Sequence, residues 1–350
     1  MHAAVELLKK SKRPVIVVGH GARFQMQQVL SLAEQLNAPI VTTFKAKGLI
    51  PDSHPLAGGV LGRSGTPIVS WLMNESDSLL VFGASFSNHT GITQKRPTIQ
   101  VDYDLMTLAR FHAIDVPVWG EIGITAKSLS DALIDFSETQ DQRTDVASRW
   151  KIWREEKLRR TRDDRGMGIN SAIVFDKLSS AVANDAIIAV DAGNNTYAFG
   201  RYFECKQQAV LMSGYLGSIG FSFPAAMGAW SATQEDDERF RGRQVVSVSG
   251  DGGFGQYLAE INTAVKYGMN ITHVLMNNGE VGKISKEQRA GNWEVWQTSL
   301  HNPNFAEYAE LCGAMGIRVT DPAELDAALE KALKHPGPAL VEVMTDAELV

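Results

Sequence analysis

The sequence predicts an α/β protein built from two tandem doubly wound, mainly parallel sheets with helices on both faces. Short, continuous apolar runs recur along the chain, and segments with helical spacing of apolar residues separate them. Continuous apolar strands that alternate with helices are typical of parallel sheets covered on both faces. The alternation occurs twice, on either side of a segment dense in charges of both signs, which indicates two domains.

The first half of the chain contributes four predicted strands, which are the apolar runs 14–19, 39–41, 78–83 and 97–102. A helix is predicted over 23–36. Between 135 and 168 the composition becomes highly charged, which is typical of an exposed helix that joins two domains. We therefore expect a central domain at 1–140, a charged helical linker at 141–165 and a second domain at 166–350.

The second half repeats the pattern. Its predicted strands are 186–190, 244–249, 271–276 and 338–343, and its predicted helices lie near 256–267, 305–315 and 323–334. The carboxylate of Asp191 comes directly after the first of these strands.

Composition excludes several classes of protein. The chain has 350 residues with 34 Lys and Arg against 40 Asp and Glu, a net charge of −6, so it offers no global positive field for a nucleic acid partner. No segment approaches the ~20 consecutive apolar residues of a transmembrane helix, and the N-terminus lacks a signal peptide pattern. The two cysteines, Cys205 and Cys312, do not form a disulfide framework. We expect a cytoplasmic protein.

The most specific motif follows the strand 244–249. It begins with Gly250, Asp251 and Gly252, and after 24 further residues Asn277 and Asn278 end the next strand. One strand, a returning helix and a second strand fill this interval, so both ends of the motif are expected at the carboxyl edge of one parallel sheet, where such sheets bind ligands.

The donor types at this edge suit magnesium. Asp251 offers a charged oxygen, Asn278 an amide oxygen and Glu280 a backbone carbonyl, and few charges with several oxygens are typical of Mg²⁺ bound beside phosphates. Gly252 and Gly253 let the backbone approach a phosphate, and a helix expected near residue 255 would direct its positive end there. The alternative reading is two unrelated turns, which the spacing disfavours.

This pattern resembles the diphosphate–magnesium signature of thiamin diphosphate-dependent enzymes of the pyruvate oxidase and acetolactate synthase type. The segment 216–226 is similar to the loop beneath the thiazolium in that family. The resemblance implies that Ile219 props the cofactor into a bent shape and that the Gly217 carbonyl accepts a hydrogen bond from the aminopyrimidine. Ser218 and Gly250 complete the expected cofactor contacts here. Gly193 and Asn194, in a glycine turn after a strand, are implied to help hold the diphosphate, with a plain turn as the alternative.

The segment 279–288 is similar to the helix that covers the substrate in the pyruvate oxidase branch. By this resemblance Ile284 and Glu287 face the reacting carbon, and the Glu287 carboxylate could move protons if burial raised its pKa. The alternative for Glu287 is an exposed helix carboxylate, since charged residues surround it.

The first half resembles the central domain of the family, which binds FAD in some members and no cofactor in others. A short glycine turn, Gly19-His20-Gly21, follows the first strand, and Gly83 and Asp102 end later strands. These features are compatible with FAD but do not require it, because a lone G-x-G is weak evidence for a nucleotide.

The resemblance covers two of the family's three domains and lacks the N-terminal domain that binds the pyrimidine. It implies decarboxylation of a 2-oxo acid such as pyruvate, and it implies that the chain is a fragment or that another chain supplies the missing half. We expect a truncated or split chain that forms an oligomer and is inactive alone. The alternative is a non-catalytic subunit that binds the cofactor or regulates a partner.

Overall fold

The computed structural model describes residues 1–87 and 89–349. The chain divides into two compact units, Met1–Glu156 and Lys157–Val350. The division falls within one long charged helix, Arg143–Arg160. The three domain bounds expected from composition stay a prediction.

The first unit is built on a six-stranded parallel sheet in the order β3-β2-β1-β4-β5-β6. Its strands are β1 Pro14–Val18, β2 Ile40–Thr42, β3 Ala57–Val60, β4 Ser78–Phe82, β5 Thr98–Asp102 and β6 Val116–Trp119. Its helices are α1 His2–Lys10, α2 Met26–Gln35, α3 Pro67–Glu75, α4 Ile122–Ala132 and the first part of α5 Arg143–Arg160, which continues into the second unit. The strand order reverses between β1 and β4, which is where doubly wound sheets form a ligand crevice.

The second unit has the order β11-β12-β10-β9-β7-β8, again with all strands parallel. Its strands are β7 Ile187–Val190, β8 Ala209–Met212, β9 Val245–Gly250, β10 Ile271–Asn277, β11 Met315–Val319 and β12 Ala339–Met344. Its helices are α6 Ser171–Ala181, α7 Asn194–Tyr202, α8 Ser222–Thr233, α9 Asp251–Phe254, α10 Glu260–Lys266, α11 Gly282–Ala290, α12 Phe305–Leu311 and α13 Leu325–Leu333.

Every residue of β1 and of β10 is buried, as expected for central strands with helices on both faces. The fold class predicted from the sequence is therefore confirmed. Within residues 1–87 and 89–349, the chain forms no helix with the length and apolar character needed to cross a membrane.

The sequence did not predict the four strands that lie at the edges of the two sheets, which are β3, β6, β8 and β11. Three of them, β6, β8 and β11, are only partly buried. β11 begins at Met315, the last residue of the helix that was expected over 305–315. That helix ends at Leu311, and Gly313, with φ of 90°, turns the chain into the strand.

Candidate functional site

The two halves of the glycine–aspartate and asparagine motif leave neighbouring strands at one edge. β9 and β10 pair in parallel with Met276 opposite Gly250. Asp251 and Asn278 therefore follow the carboxyl ends of adjacent strands, in the arrangement that the spacing predicts. We call this the carboxyl edge of the second sheet.

Asp251 is buried, and its carboxylate contacts the backbone of the other motif. Its Oδ2 accepts the N–H of Gly279 at 2.8 Å, and its Oδ1 accepts the N–H of Gly252 at 3.0 Å. Burial raises the pKa of Asp251 above its ordinary value, while hydrogen bonds from Asn302, Gly279 and Gly252 oppose that rise. The carboxylate is thus fixed against the turn that joins Asn278 to Glu280.

That turn is stabilised locally. The Oδ1 of Asn278 accepts the N–H of Glu280 at 3.1 Å, and Gly279 between them has φ of 69°. The side chain of Glu280 points to α11, where its Oε1 accepts the hydroxyl of Ser285 at 2.8 Å and its Oε2 lies 3.7 Å from Arg289. The part of Glu280 available for a metal is therefore its backbone carbonyl.

No group of three His, Cys, Asp or Glu side chains that could hold a metal occurs in the described part of the chain. A cation at this edge would rely on one carboxylate supplemented by amide and carbonyl oxygens. Such a donor set fits Mg²⁺ that takes its other ligands from phosphate and water, and does not fit a zinc site.

Glycines keep space open beside Asp251. A Cβ placed on Gly250 would have its nearest neighbour, Asn195 Oδ1, at 3.8 Å. At Gly252 a Cβ would make ordinary contacts with the side chains of Leu300, Ile219 and Val281 at 3.4–4.0 Å. Small apolar side chains therefore surround an open glycine backbone, which is a shape that admits a ligand.

Gly253 has a different reason to be glycine. A Cβ there would lie 2.0 Å from the Oδ2 of Asp191, so the protein's own carboxylate already occupies that space. The helix expected near residue 255 is also wrong in position: a helix of four residues begins at Asp251, and the next begins at Glu260. The dipole of this helix therefore gives no support to phosphate binding at this edge.

Asp191 is the functional candidate that the sequence analysis did not select. It is fully buried, and its carboxylate accepts the N–H groups of Ala192, Gly220 and Phe221 at 2.9–3.0 Å. Burial raises the pKa of Asp191 to about 6. An acidic residue that directly follows a buried strand and precedes a glycine turn is the signal that could have identified it.

The loop that Asp191 holds is the one expected beneath the thiazolium. Gly217 has φ of 70° and donates its N–H to Ser213, and Ser218 donates its N–H to the Ser213 hydroxyl. The side chain of Ile219 is 40% exposed and reaches toward Gly252. The structure therefore brings Ile219 to the same open space as the glycine–aspartate motif.

Gly193 and Asn194 lie at the same edge. Gly193, with φ of 133°, precedes α7, which begins at Asn194. The buried Nδ2 of Asn194 has no hydrogen-bond partner, and it lies 2.7 Å from the position of a Cβ on Gly282. An unpartnered buried donor at a helix N-terminus fits an anionic group such as a diphosphate.

α11 begins beside these residues and carries the two expected substrate contacts. Ile284 is 44% exposed. The side chain of Glu287 is 56% exposed and pairs with Lys283 one turn earlier. Both residues are accessible at the surface of the second unit, and the burial that proton transfer by Glu287 would require is not provided by this unit itself.

The corresponding edge of the first sheet is built differently. A Cβ on Gly19 would lie 2.1 Å from the carbonyl oxygen of Gly83, and one on Gly21 would lie 2.8 Å from the Gly83 Cα. Burial and the nearby charges of Lys45 and Arg23 lower the pKa of His20 to about 4. These glycines are required by backbone packing, so the turn is not evidence for FAD.

Asp102, the other residue considered for a dinucleotide, accepts the N–H of Asp104 at 2.9 Å. Partial burial raises the pKa of Asp102. Its position at the end of β5 is compatible with a ribose contact, but its carboxylate already accepts a hydrogen bond within its own loop.

Comparison with known proteins identifies the family. Residues 1–129 match the thiamine pyrophosphate enzyme central domain, and residues 191–343 match the thiamine pyrophosphate enzyme C-terminal TPP binding domain. Among curated proteins, "Putative thiamine pyrophosphate-containing protein YdaP" of Bacillus subtilis is 31% identical over 345 residues, which cover 97% of this chain and 58% of the relative.

Two acetolactate synthases are similar at slightly lower identity. The isozyme 3 large subunit of Escherichia coli is 28% identical, with 95% of this chain and 58% of the relative covered. Acetolactate synthase 1 of Nicotiana tabacum, a chloroplastic protein, is 27% identical, with 97% and 52% covered. The chain thus spans little more than half the length of these relatives. It belongs to the thiamin diphosphate-dependent enzymes, of which it carries the central domain and the C-terminal cofactor-binding domain.

Proposed function

We propose that the carboxyl edge of the second sheet binds the diphosphate of thiamin diphosphate together with Mg²⁺. In this proposal Asp251, Asn278 and the Glu280 carbonyl hold the cation. The observation that carries the proposal is the buried Asp251 carboxylate fixed against the turn after Asn278, beside an open glycine backbone. A second support is the unpartnered amide of Asn194, which could donate to a phosphate oxygen.

The remaining residues orient the cofactor and exclude water. Gly193 and Asn194 present donors to the diphosphate, the Gly217 carbonyl accepts from the pyrimidine side, and Ser218 lies in the same loop. Ile219 contributes apolar surface beneath the ring. When bound, thiamin diphosphate accepts the electrons that a 2-oxo acid releases as it loses carbon dioxide.

The proposed substrate class is a 2-oxo acid such as pyruvate, as in an enzyme of the acetolactate synthase or pyruvate oxidase type. The acetolactate synthases among the relatives support this class. Ile284 and Glu287 would contact the substrate once another domain covers α11, because Glu287 is exposed in this unit. We therefore propose that turnover needs a pyrimidine domain that completes the site.

FAD is not part of the proposed function. The glycine turn that suggested it is explained by the contacts of Gly19 and Gly21 with Gly83. An absorbance spectrum of the purified protein tests this directly, and the characteristic visible absorption bands of a flavin would show that the chain binds FAD.

Calorimetry with thiamin diphosphate, with and without Mg²⁺, tests the cofactor site. We expect binding that requires the cation and that Asp251→Ala weakens by at least about 100-fold, since a metal ligand is lost. Asp236→Ala is the matched control, because Asp236 is an exposed carboxylate on a different loop. Equal binding by Asp251→Ala and by the parent chain would remove the cation site.

A non-catalytic cofactor-binding subunit is the second candidate, and the exposure of Glu287 favours it. Both candidates predict an inactive isolated chain, so carbon dioxide release from pyruvate at saturating cofactor and Mg²⁺ separates them only when a pyrimidine domain is added, which should restore turnover for the first candidate alone. The isolated chain is measured alongside. We expect no turnover. Steady turnover that Asp251→Ala abolishes would show that this chain completes the active site by itself.

A further inference from the structure

A chain of polar side chains lies behind the Asp251 carboxylate and leads to a buried glutamate. The Nδ2 of Asn302 donates to Asp251 Oδ2 at 2.7 Å and to Asn277 Oδ1 at 2.9 Å. The Nδ2 of Asn277 donates in turn to Glu342 Oε1 at 2.7 Å. Glu342 and Asn277 are buried at 0% and 3% exposure, so these bonds form away from water.

The charge of Glu342 is compensated from its other side. Its Oε2 accepts the N–H of Ala306, the second residue of α12, at 3.1 Å, and lies 3.5 Å from Nη1 of Arg318 on β11. The glutamate therefore faces donors on both sides. An ionised carboxylate can only accept hydrogen bonds.

This acceptor determines the orientation of both asparagines. Because Glu342 can only accept, Asn277 must turn its NH₂ toward Glu342 and its carbonyl oxygen toward Asn302. The N–H of Gly279, which also donates to Asn277 Oδ1 at 3.2 Å, requires the same orientation. Asn302 must then present its NH₂ to Asn277, and the second hydrogen of that group reaches Asp251.

The result is an asymmetric Asp251 carboxylate. Oδ2 accepts two donors, Asn302 and Gly279, whereas Oδ1 accepts the N–H of Gly252. With both lone pairs of Oδ2 engaged, capacity for a further ligand remains on Oδ1.

We propose that Asn302, oriented through Asn277 by the buried Glu342, is a positioning residue that makes Asp251 present Oδ1 to the cation. The proposal rests on the cofactor site proposed above. None of the three residues belongs to the glycine–aspartate loop, and Asn302 has no sequence signal of its own. Polar groups that orient a metal ligand typically change metal affinity by about 10- to 100-fold when they are altered.

We call the hydrogen-bonded series from Glu342 through Asn277 and Asn302 to Asp251 the relay. Two isosteric variants test it. Asn302→Asp replaces the donated NH₂ with an oxygen that faces Asp251 Oδ2. Glu342→Gln reverses the direction of hydrogen-bond donation between positions 342 and 277, because the new amide must direct its oxygen to Ala306 and Arg318 and its NH₂ to Asn277. We expect each variant to raise the Mg²⁺ concentration for half-maximal thiamin diphosphate binding by at least about tenfold. The measurement is calorimetry at saturating thiamin diphosphate.

A compensating change separates orientation from packing. In the double variant Asn277→Asp with Glu342→Gln, the new carboxylate at position 277 accepts from the new amide at position 342, from Gly279 and from Asn302. This arrangement restores the donor aimed at Asp251. We expect the half-maximal Mg²⁺ concentration of the double variant to return to within about threefold of the parent value, well short of the loss typical of a disturbed ligand. A purely structural role for Glu342 predicts no such recovery.

A control variant and melting temperatures separate a loss of folding from a loss of cation binding. Asn304→Asp makes the same chemical change two residues from Asn302, at the N-terminus of α12, where the side chain needs only an acceptor for the N–H of Glu307. It should bind Mg²⁺ like the parent. Melting temperatures without cofactor show which variants fold, and if Glu342→Gln does not fold, Asn302→Asp carries the test.

The outcomes distinguish the two proposals. A parent chain that binds thiamin diphosphate without any Mg²⁺ dependence overturns the cation site and the relay with it. A parent with a clear Mg²⁺ requirement that folded Asn302→Asp shares unchanged overturns the relay alone. A change of about tenfold or more in Asn302→Asp, with recovery in the double variant, supports it.

Discussion

The two units share one architecture and use glycine at the carboxyl edge in opposite ways. In the first sheet, Gly19 and Gly21 pack against Gly83 so closely that a Cβ would reach within 2.1–2.8 Å of its backbone. In the second sheet, a Cβ on Gly250 would have its nearest neighbour at 3.8 Å. The first edge is closed by its own backbone, whereas the second is open at Gly250 and Gly252.

This difference shows that a glycine after a strand has two distinct physical meanings. It can allow two backbone segments to touch, or it can leave room for a ligand. The sequence around both turns is similar in kind, an apolar strand followed by glycines. What distinguishes the second edge is the carboxylate and amide set of Asp251, Asn278 and Asn194.

The largest expected effect is a loss of stability when a glycine at the closed edge of the first sheet is replaced. Gly19→Ala should lower the free energy of unfolding by more than about 3 kcal/mol, because the new Cβ meets a backbone oxygen that cannot move aside. Gly250→Ala is the matched variant and should change stability by less than about 0.5 kcal/mol while weakening thiamin diphosphate binding. Urea denaturation and calorimetry measure the two effects. Similar stability losses in both variants would contradict the contrast between the edges.

The second prediction concerns Asp191, which holds the loop of the open edge. Its pKa is raised from 3.8 to about 6 in the fold, so between these two values the folded chain keeps a proton that the unfolded chain releases. The contribution of Asp191 to stability is therefore present below the unfolded pKa of 3.8 and is lost as the pH rises through about 6, by about 3 kcal/mol at most.

Asp191→Asn cannot titrate, so its free energy of unfolding should fall less than that of the parent over this pH range. Urea denaturation at a series of pH values from about 4 to about 7 provides the comparison. Asp236→Asn, an exposed control, should follow the parent profile. If the free energies of unfolding of Asp191→Asn and of the parent changed in parallel with pH, the pKa of Asp191 would not be raised in the fold.

The smallest expected effect on stability is at the exposed apolar surface of the open edge. Tyr215 and Leu216 are 85% and 83% exposed, and exposed apolar surface of this kind tends to be covered by partners. Replacing both with Ser should change the free energy of unfolding by less than about 0.5 kcal/mol and weaken self-association measured by light scattering.

Ile134→Ser is the control for that experiment. Ile134 is exposed and follows the end of α4 in the first unit, so it is not part of the carboxyl edge of the second sheet. It should leave association unchanged. A parent chain that stays monomeric at every concentration would argue against the surface as an interface.

Strand prediction from the sequence succeeded in the sheet centres and failed at the edges. Central strands such as β1 and β10 are buried on both faces, so each appears as a continuous apolar run. β8 and β11 are only partly buried. Arg318 interrupts the apolar residues of β11, whereas β8 is an apolar run of only four residues. The physical limit is that edge strands are short, because an apolar run of about four residues cannot be told from part of a buried helix by its pattern alone.

The sequence by itself determined the fold class, the shared edge of Asp251 and Asn278, and the family, because strand periodicity and motif spacing are local properties of the chain. Only the tertiary structure decided that Asp191 holds the loop at Gly220, that Gly19 closes the first edge, and that Asn302 reaches Asp251 from 51 residues away. These contacts depend on which atoms the packed strands bring within hydrogen-bond distance, and no local pattern encodes that distance.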